Sequence, residues 1–498
     1  MHWSSAYRLR KPVCCFALSL PLLVVSFCTA ARAEERHESF DRDPKWDGHN
    51  NRAVKPEPQQ VRQDFGYSQT RHCGGAAAGE VGGLITPARE PAYYARRIPT
   101  ASFNDHLTAS GKFAATGRNF HVLLGFFNAD TINEWRTPNT IVFRLYGRGD
   151  VFYAYVEYCS SRWRAGGDSP GGFATVDDPE KPGKQQLRGF KSQGVVHTWS
   201  IDYNPSGNGG DGQILVSIDN EHAVCNLDKG HKADTATFNR FGLLSIPKSF
   251  DGGDEVWLDD IAVNGEKEDF TTDPGWDAVG NRRTYTTNGV RPRFDFGFSD
   301  TQFAGERRGE LGGIVFRGDN RYADRLAYYG DRLHTLSLDK PLHAAGKVAL
   351  RRGVSDSTVL IGFFNAQKSV KVSNSQFSGW PIGFLGAAVE GPSREGFLFY
   401  PAYRVTENAQ GNAQGDGLPH ILPDGQPHDW SLDYQPATID RSAKIVVHFD
   451  QHRVELELPA AHTGAPATFD RFGIITTWID GNSQDIYFDD LSYTSKQD

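Results

Sequence analysis

Short runs rich in β-branched and aromatic residues recur along the chain, many with an apolar side chain at every second position. Examples are HVLLGFFNA (121–129), TIVFRLYG (140–147), VFYAYVEY (151–158), HTWSIDY (197–203), QILVSID (213–219) and EVWLDDIAV (255–263). A period of two places successive side chains on opposite faces of an extended segment, which predicts strands. Between the runs lie clusters of Gly, Pro, Asn and Asp, such as NPSGNGGDG (204–212), which supply turns. No long stretch keeps a helical period. The pattern predicts an all-β protein built of antiparallel sandwiches.

The pattern also occurs twice. HTWSIDYNP (197–205) returns as HDWSLDYQP (428–436), ATFNRFGLL (236–244) as ATFDRFGII (467–475), and VWLDDI (256–261) as IYFDDL (486–491). DPxWD stands at 43–47 and again at 273–277, and GFFNA is repeated verbatim at 125–129 and 362–366. A unit of this length is too long for a solenoid or propeller repeat and has the size of one large β domain. Two tandem domains are therefore expected, residues 34–265 and 266–498, with almost no linker between them. Each position can be compared with its twin.

Residues 1–33 read as a signal peptide. Arg8, Arg10 and Lys11 precede an apolar run that ends in Ala31-Arg32-Ala33, a small-residue cleavage pattern, and polar sequence follows at once. Secretion or export to the periplasm is the expected localisation, with no stable membrane insertion, because no second apolar run reaches spanning length. The leader holds four of the 53 basic residues and none of the 61 acidic ones, so its removal leaves a net charge of −12. Binding to nucleic acid draws on neutralising phosphates with Lys and Arg, and this balance disfavours it. Three of the six cysteines leave with the leader; Cys73, Cys159 and Cys225 remain, without metal-ligand spacing. Cys225, whose twin is Leu456, reads as a core residue. If a disulfide forms, the expected pair is Cys73 with Cys159.

Each copy opens on a Phe and DPxWD, carries an HxWSxDYxP strand before a Pro/Gly turn, and closes on an aromatic-flanked Asp-Asp strand. This layout resembles the concanavalin A-like lectin/glucanase jelly roll across both copies, through fold-level signals only. The resemblance implies a bent sheet with a sugar-binding face. It also implies a structural calcium, for which Asp259, Asp260, Asp489 and Asp490 are the candidate ligands, since calcium takes clustered oxygens. The competing reading is that these aspartates hold loop amides. Beyond that ion no cofactor is required. Glu80 and Glu310, each set between glycines in GEVGG and GELGG, are expected to tie down loop amides in the same way.

The copies differ in the stretch 132–164. There copy one carries Arg144 and Tyr146 on one face of a strand, and Tyr153, Tyr155 and Glu157 on one face of the next. Glu134, Trp135, Arg136, Asn139, Arg162 and Trp163 lie nearby in sequence. Copy two keeps Tyr400 and Tyr403, has an apolar residue, read as Leu385, in place of Arg144, and has no clear match for Glu157. Aromatic rings stack on sugar rings, and a guanidinium grips a carboxylate or sulfate with two donors. The first expectation is thus a lectin-like protein that binds a polysaccharide mainly through copy one. The alternative is a polysaccharide lyase or glycoside hydrolase with copy one catalytic. For elimination, Arg144, Tyr155, Glu157, Tyr158 and His197 would neutralise the uronate and move protons. The E-x-D-x-x-E pattern of laminarinase-type hydrolases is absent from the sequence.

Overall fold

A computed structural model describes residues 33–497, apart from 54–56, 76, 168–172, 174, 178–179, 374–378, 393, 395, 416 and 464–465. Residues 1–32, all but the last residue of the expected leader and with them Cys14, Cys15 and Cys28, lie outside the described residues. No helix among the described residues is long and apolar enough to cross a membrane. The chain forms two antiparallel β-sandwiches, each with a front and a back sheet.

In sandwich one the front sheet runs Ala165–Gly167, Val151–Cys159, Thr140–Arg148, His121–Phe127, Thr237–Ser245, Tyr93–Ser102 and Asp277–Val279. Its inward side chains, among them Leu124, Phe126, Phe143 and Val156, meet Phe113, Trp199, Ile201 and Leu258 of the back sheet. Sandwich two repeats this arrangement. Its front sheet includes Tyr328–Ser337, Thr468–Ile475, Ser357–Phe364, Phe384–Gly391 and Leu398–Arg404. Burial of these apolar faces is the main driving force for such sandwiches. Cys225 lies in the first core, as expected, and Leu456 packs at the edge of the second.

The sandwiches do not coincide with 34–265 and 266–498. The strand Glu34–Glu38 pairs with Ser483–Lys496, and Asp47–His49 with Tyr328–Ser337, so the start of copy one completes sandwich two. Reciprocally, Glu266–Glu268 pairs with Asp254–Val263 and Asp277–Val279 with Tyr93–Ser102, so the start of copy two completes sandwich one. This placement accounts for the repeated DPxWD. Trp46 stacks on Tyr329 (5.9 Å between ring centres) inside sandwich two, and Trp276 stacks on Tyr94 (5.7 Å) inside sandwich one. The final Asp of each motif reaches an arginine of the adopted sheet, Asp47 with Arg471 at 2.7 Å and Asp277 with Arg240 at 2.8 Å. A strand's own pattern tells which face is apolar and not which sheet receives it, so the duplication alone misplaced the boundary.

The expected Cys73–Cys159 disulfide is corrected. Cys73 and Cys159 are free thiols, both buried, and Cys225 is buried as well. Cys73 packs against Ala114 and Trp257 on the back sheet, whereas Cys159 lies on the front sheet beside the Arg136 carbonyl.

Candidate functional site

The carboxylates shared by both copies have structural work. Glu80 is fully buried and accepts hydrogen bonds from the His72 and Cys73 amides at 2.7 and 2.9 Å; its twin Glu310 accepts from Phe303 and Ala304 at 2.9 and 2.8 Å. Asp259 and Asp489 each accept from the next residue's amide, at 2.7 and 2.8 Å. Asp260 is paired with Lys112 at 2.5 Å and Asp490 with Lys347 at 3.2 Å. Calcium wants six to eight oxygens. Here an ammonium already sits on one carboxylate of each pair, and no group of three or more acidic, His or Cys side chains placed to hold a metal ion is found among the described residues. The donor set does not fit calcium.

Burial, reinforced by Asp490 and Glu310, pushes the Asp489 carboxyl up to about 7. The native state thus holds a proton that the unfolded chain loses near pH 4. Stability from this group is complete below that point and is lost as pH rises through 7. Asp489→Asn, neutral throughout, should flatten the decline between pH 4 and 7 and gain about 2–4 kcal/mol over the parent at pH 8. Urea unfolding across pH would show it, and parallel curves for the two proteins would reject it.

Copy one's candidate residues divide between two faces and an interface. Arg144, Tyr155 and Glu157 share the outer face of the front sheet, with Arg144 opposite Tyr155 in register. The Arg144 Nε donates to Glu157 at 2.5 Å, and its guanidinium carbon lies 4.0 Å from the Tyr155 ring centre and 5.3 Å from that of Trp135. The Arg136 guanidinium adds a second cation 3.9 Å from Glu157. Trp135 belongs to the 128–139 loop and lies on the apolar patch of Leu123, Phe127, Val142 and Leu244. The ion pair is thus roofed over, with 9% of the Arg144 side chain and 5% of Glu157 exposed. Behind it His121 is held well below its ordinary range by burial, then by Lys248 and Arg144. Only Tyr146 stands exposed at the rim, beside half-buried Tyr153.

The other candidates lie elsewhere. Tyr158 alternates to the inside of the sandwich, where its hydroxyl meets His231 at 3.0 Å; its twin Tyr403 does the same with His462 at 2.7 Å. It is a core residue, not a proton carrier. His197 is on the back sheet, with Nδ1 2.7 Å from Asp219 and Nε2 2.7 Å from the Lys191 carbonyl, so both nitrogens are committed. His428 repeats the first of these contacts with Asp450 at 2.7 Å. Asn139 sits in the left-handed region (φ 60°) where copy two has Gly383 (φ 77°), and it accepts from the Thr237 amide at 3.0 Å. Glu134 is buried between the sandwiches and accepts from the Ser355 amide at 2.7 Å; burial holds its carboxyl well above the usual range. Trp163 leans on the core of sandwich two, and Arg162 is exposed on the same turn.

The register corrects the twin of Arg144. Gly125 faces Val142, and its twin Gly362 faces Gly386, which makes Ala388 the counterpart of Arg144 and Ala402 that of Glu157. Leu385 is three residues away and points into the core. Two residues beyond Ala388 comes Glu390, on the same outer face. The Tyr400 hydroxyl, at the position of Tyr155, donates to Glu390 Oε2, while Arg317 donates from Nη2 to Oε1 at 3.2 Å and from Nε to Thr358 at 2.9 Å. Glu390 keeps 28% of its side chain exposed and lines two cavities. One, of about 300 Å³, is bounded by Tyr400, Asn412, Gln414 and His420; the other, of about 420 Å³, by Arg317, Asp356, Trp380 and Thr477. Sequence comparison missed this group because the three-residue slip put Glu390 out of view. Strict alternation from Ala388 would have exposed it. Sandwich one buttresses the groove: the Ala165 amide donates to the Arg394 carbonyl at 2.8 Å, and the turn carrying Trp163 packs beside Gly396.

No protein-family model matches this chain, and no curated protein does. Among solved structures, the LG4–5 domains of the mouse laminin α1 chain are 11% identical over 89% of this chain and 95% of theirs, with a TM-score of 0.23. Endo-β-1,4-glucuronan lyase from the fungus Trichoderma reesei is 12% identical over 47% of this chain and 96% of its own, with a TM-score of 0.25. A GH43 protein of Bacillus licheniformis is 11% identical over 74% of each chain, with a TM-score of 0.23. Likenesses of this size do not say what the protein does.

Proposed function

We propose that this is an exported polysaccharide-binding protein whose main seat is the outer face of sandwich two, with sandwich one as its support. The observation that carries the reading is Glu390, which lies on two adjoining cavities and is flanked by Trp380 and Tyr400. Two such cavities offer room for successive sugar units, and an aromatic wall with a few fixed polar groups is the usual make-up of a ligand cleft. Sandwich one serves less well as the seat because the charge of Arg144 is spent on Glu157 under the Trp135 roof. The elimination reading weakens for the same reason. Arg144 has no free fork to offer a uronate, and His197 and Tyr158 do not share its face.

Trp380→Ala tests the proposal. If ring stacking on sugar is comparable to aromatic stacking on a base, about 1–3 kcal/mol, retention on the preferred polysaccharide should fall about tenfold or more. Affinity electrophoresis against a panel of neutral, uronic and sulfated polysaccharides would measure it. Unchanged retention, with the thermal transition intact, would move the site away from this face.

A further inference from the structure

Resting on that reading, we infer that the groove of sandwich two takes an uncharged glycan, recognised through its hydroxyl groups, and rejects polyuronates and sulfated chains.

The argument is one of charge and donor count. Among the described residues bounding the two cavities, Arg317 is the one Lys or Arg, against the carboxylates of Glu390 and Asp356. Its fork is already engaged, with Nη2 on Glu390 and Nε on Thr358. Only 11% of its side chain is exposed. A bidentate grip on a ligand carboxylate needs a free, forward-facing fork, and this one faces the protein's own acid. Asp480 adds a further negative charge within electrostatic reach of Arg317. The remaining polar lining includes Asn412, Gln414 and Thr477, which carry no charge and suit hydroxyl partners.

The two Glu390 oxygens each take one donor, from Tyr400 and from Arg317. A carboxylate offers about four acceptor sites, so each oxygen retains a site for a sugar O–H. A charge-assisted O–H···O⁻ bond is stronger than a neutral one, which makes Glu390 an anchor for a hydroxyl and a repeller of an anion. The opposite bias of sandwich one, where Arg136, Arg144 and Lys248 surround Trp135, lies under its own roof and does not reach this groove.

The test uses the full mature chain and matched polymers: a β-glucan and a β-mannan, each beside its C6-oxidised counterpart, in which –CH₂OH has become –COO⁻ on the same backbone. The neutral member of a bound pair should be retained at least tenfold better. Added salt should narrow that gap by screening repulsion, whereas a cationic site would lose affinity for the oxidised member with salt. Glu390→Gln should narrow the gap as well, and Asp356→Asn gives a second variant should the first unfold. An oxidised member bound as tightly as its parent at low salt would overturn the neutral assignment and leave the groove in place. Failure of every polymer to bind, with Trp380→Ala indistinguishable from the parent, would overturn the groove along with it.

Discussion

Trp46→Ala is expected to melt the sandwich built from residues 290–497 and to leave its neighbour standing. Trp46 lies in copy one, yet it is buried among Phe40, Tyr329 and Tyr493, with ring centres 5.1, 5.9 and 6.0 Å away. Truncating a buried Trp costs about 3–5 kcal/mol, a large part of the stability of an ordinary domain. The loss should appear as a separate, lower calorimetric transition. Proteolysis just above it should cut within 290–497 and spare 59–287. Trp276→Ala should do the reverse, because Trp276 is buried with Phe270 and Tyr94. Fragments from 59–287 in the Trp46 variant would show that the reciprocal closure is wrong.

The second large effect belongs to the buried pair of sandwich one. Arg144→Ala removes the 2.5 Å partner of Glu157 and leaves a carboxylate that is 5% exposed with only Arg136, at 3.9 Å. Orphaning one member of a buried ion pair costs about 3–5 kcal/mol. Adding Glu157→Ala should recover more than half of that, since the double variant is what copy two already carries, with Ala388 and Ala402. Urea denaturation of the parent, the single variants and the double variant closes the cycle. Additive losses would mean that the pair is not coupled.

How far the sequence could be read follows from these same residues. Strand content, the duplication and the aromatic cores were legible, because period-two alternation and repeated motifs are local properties. The same alternation would have turned Tyr158 inward, one residue beyond Glu157 and so on the opposite face, yet it was grouped with Tyr155 and Glu157. Three features were not legible, and a fourth was overlooked. The exchange of opening segments depends on which sheet edge is open, a property of the whole fold. The commitment of His197 to Asp219 and the Lys191 carbonyl depends on a hairpin and a neighbouring strand meeting. The Trp135 roof depends on the path of a loop. The groove of copy two was missed through a slip of three residues, and in a sheet any odd slip turns a face inside out.

The reciprocal closure has a consequence for how the protein is made. Sandwich one has all its strands once residue 287 has been synthesised, so it can fold while the rest of the chain is still emerging. Sandwich two takes its opening strand, Glu34–Glu38, from ahead of sandwich one in the chain and that strand's partner, Ser483–Lys496, from behind it. That opening segment, with its apolar Phe40 and Trp46, must wait while all of sandwich one and most of sandwich two are made before it finds cover. Contacts so distant in sequence form slowly, and an unpaired strand edge is exposed to wrong partners meanwhile. The interval between that strand and its late partner is therefore the stage at which a chaperone would matter most to this molecule.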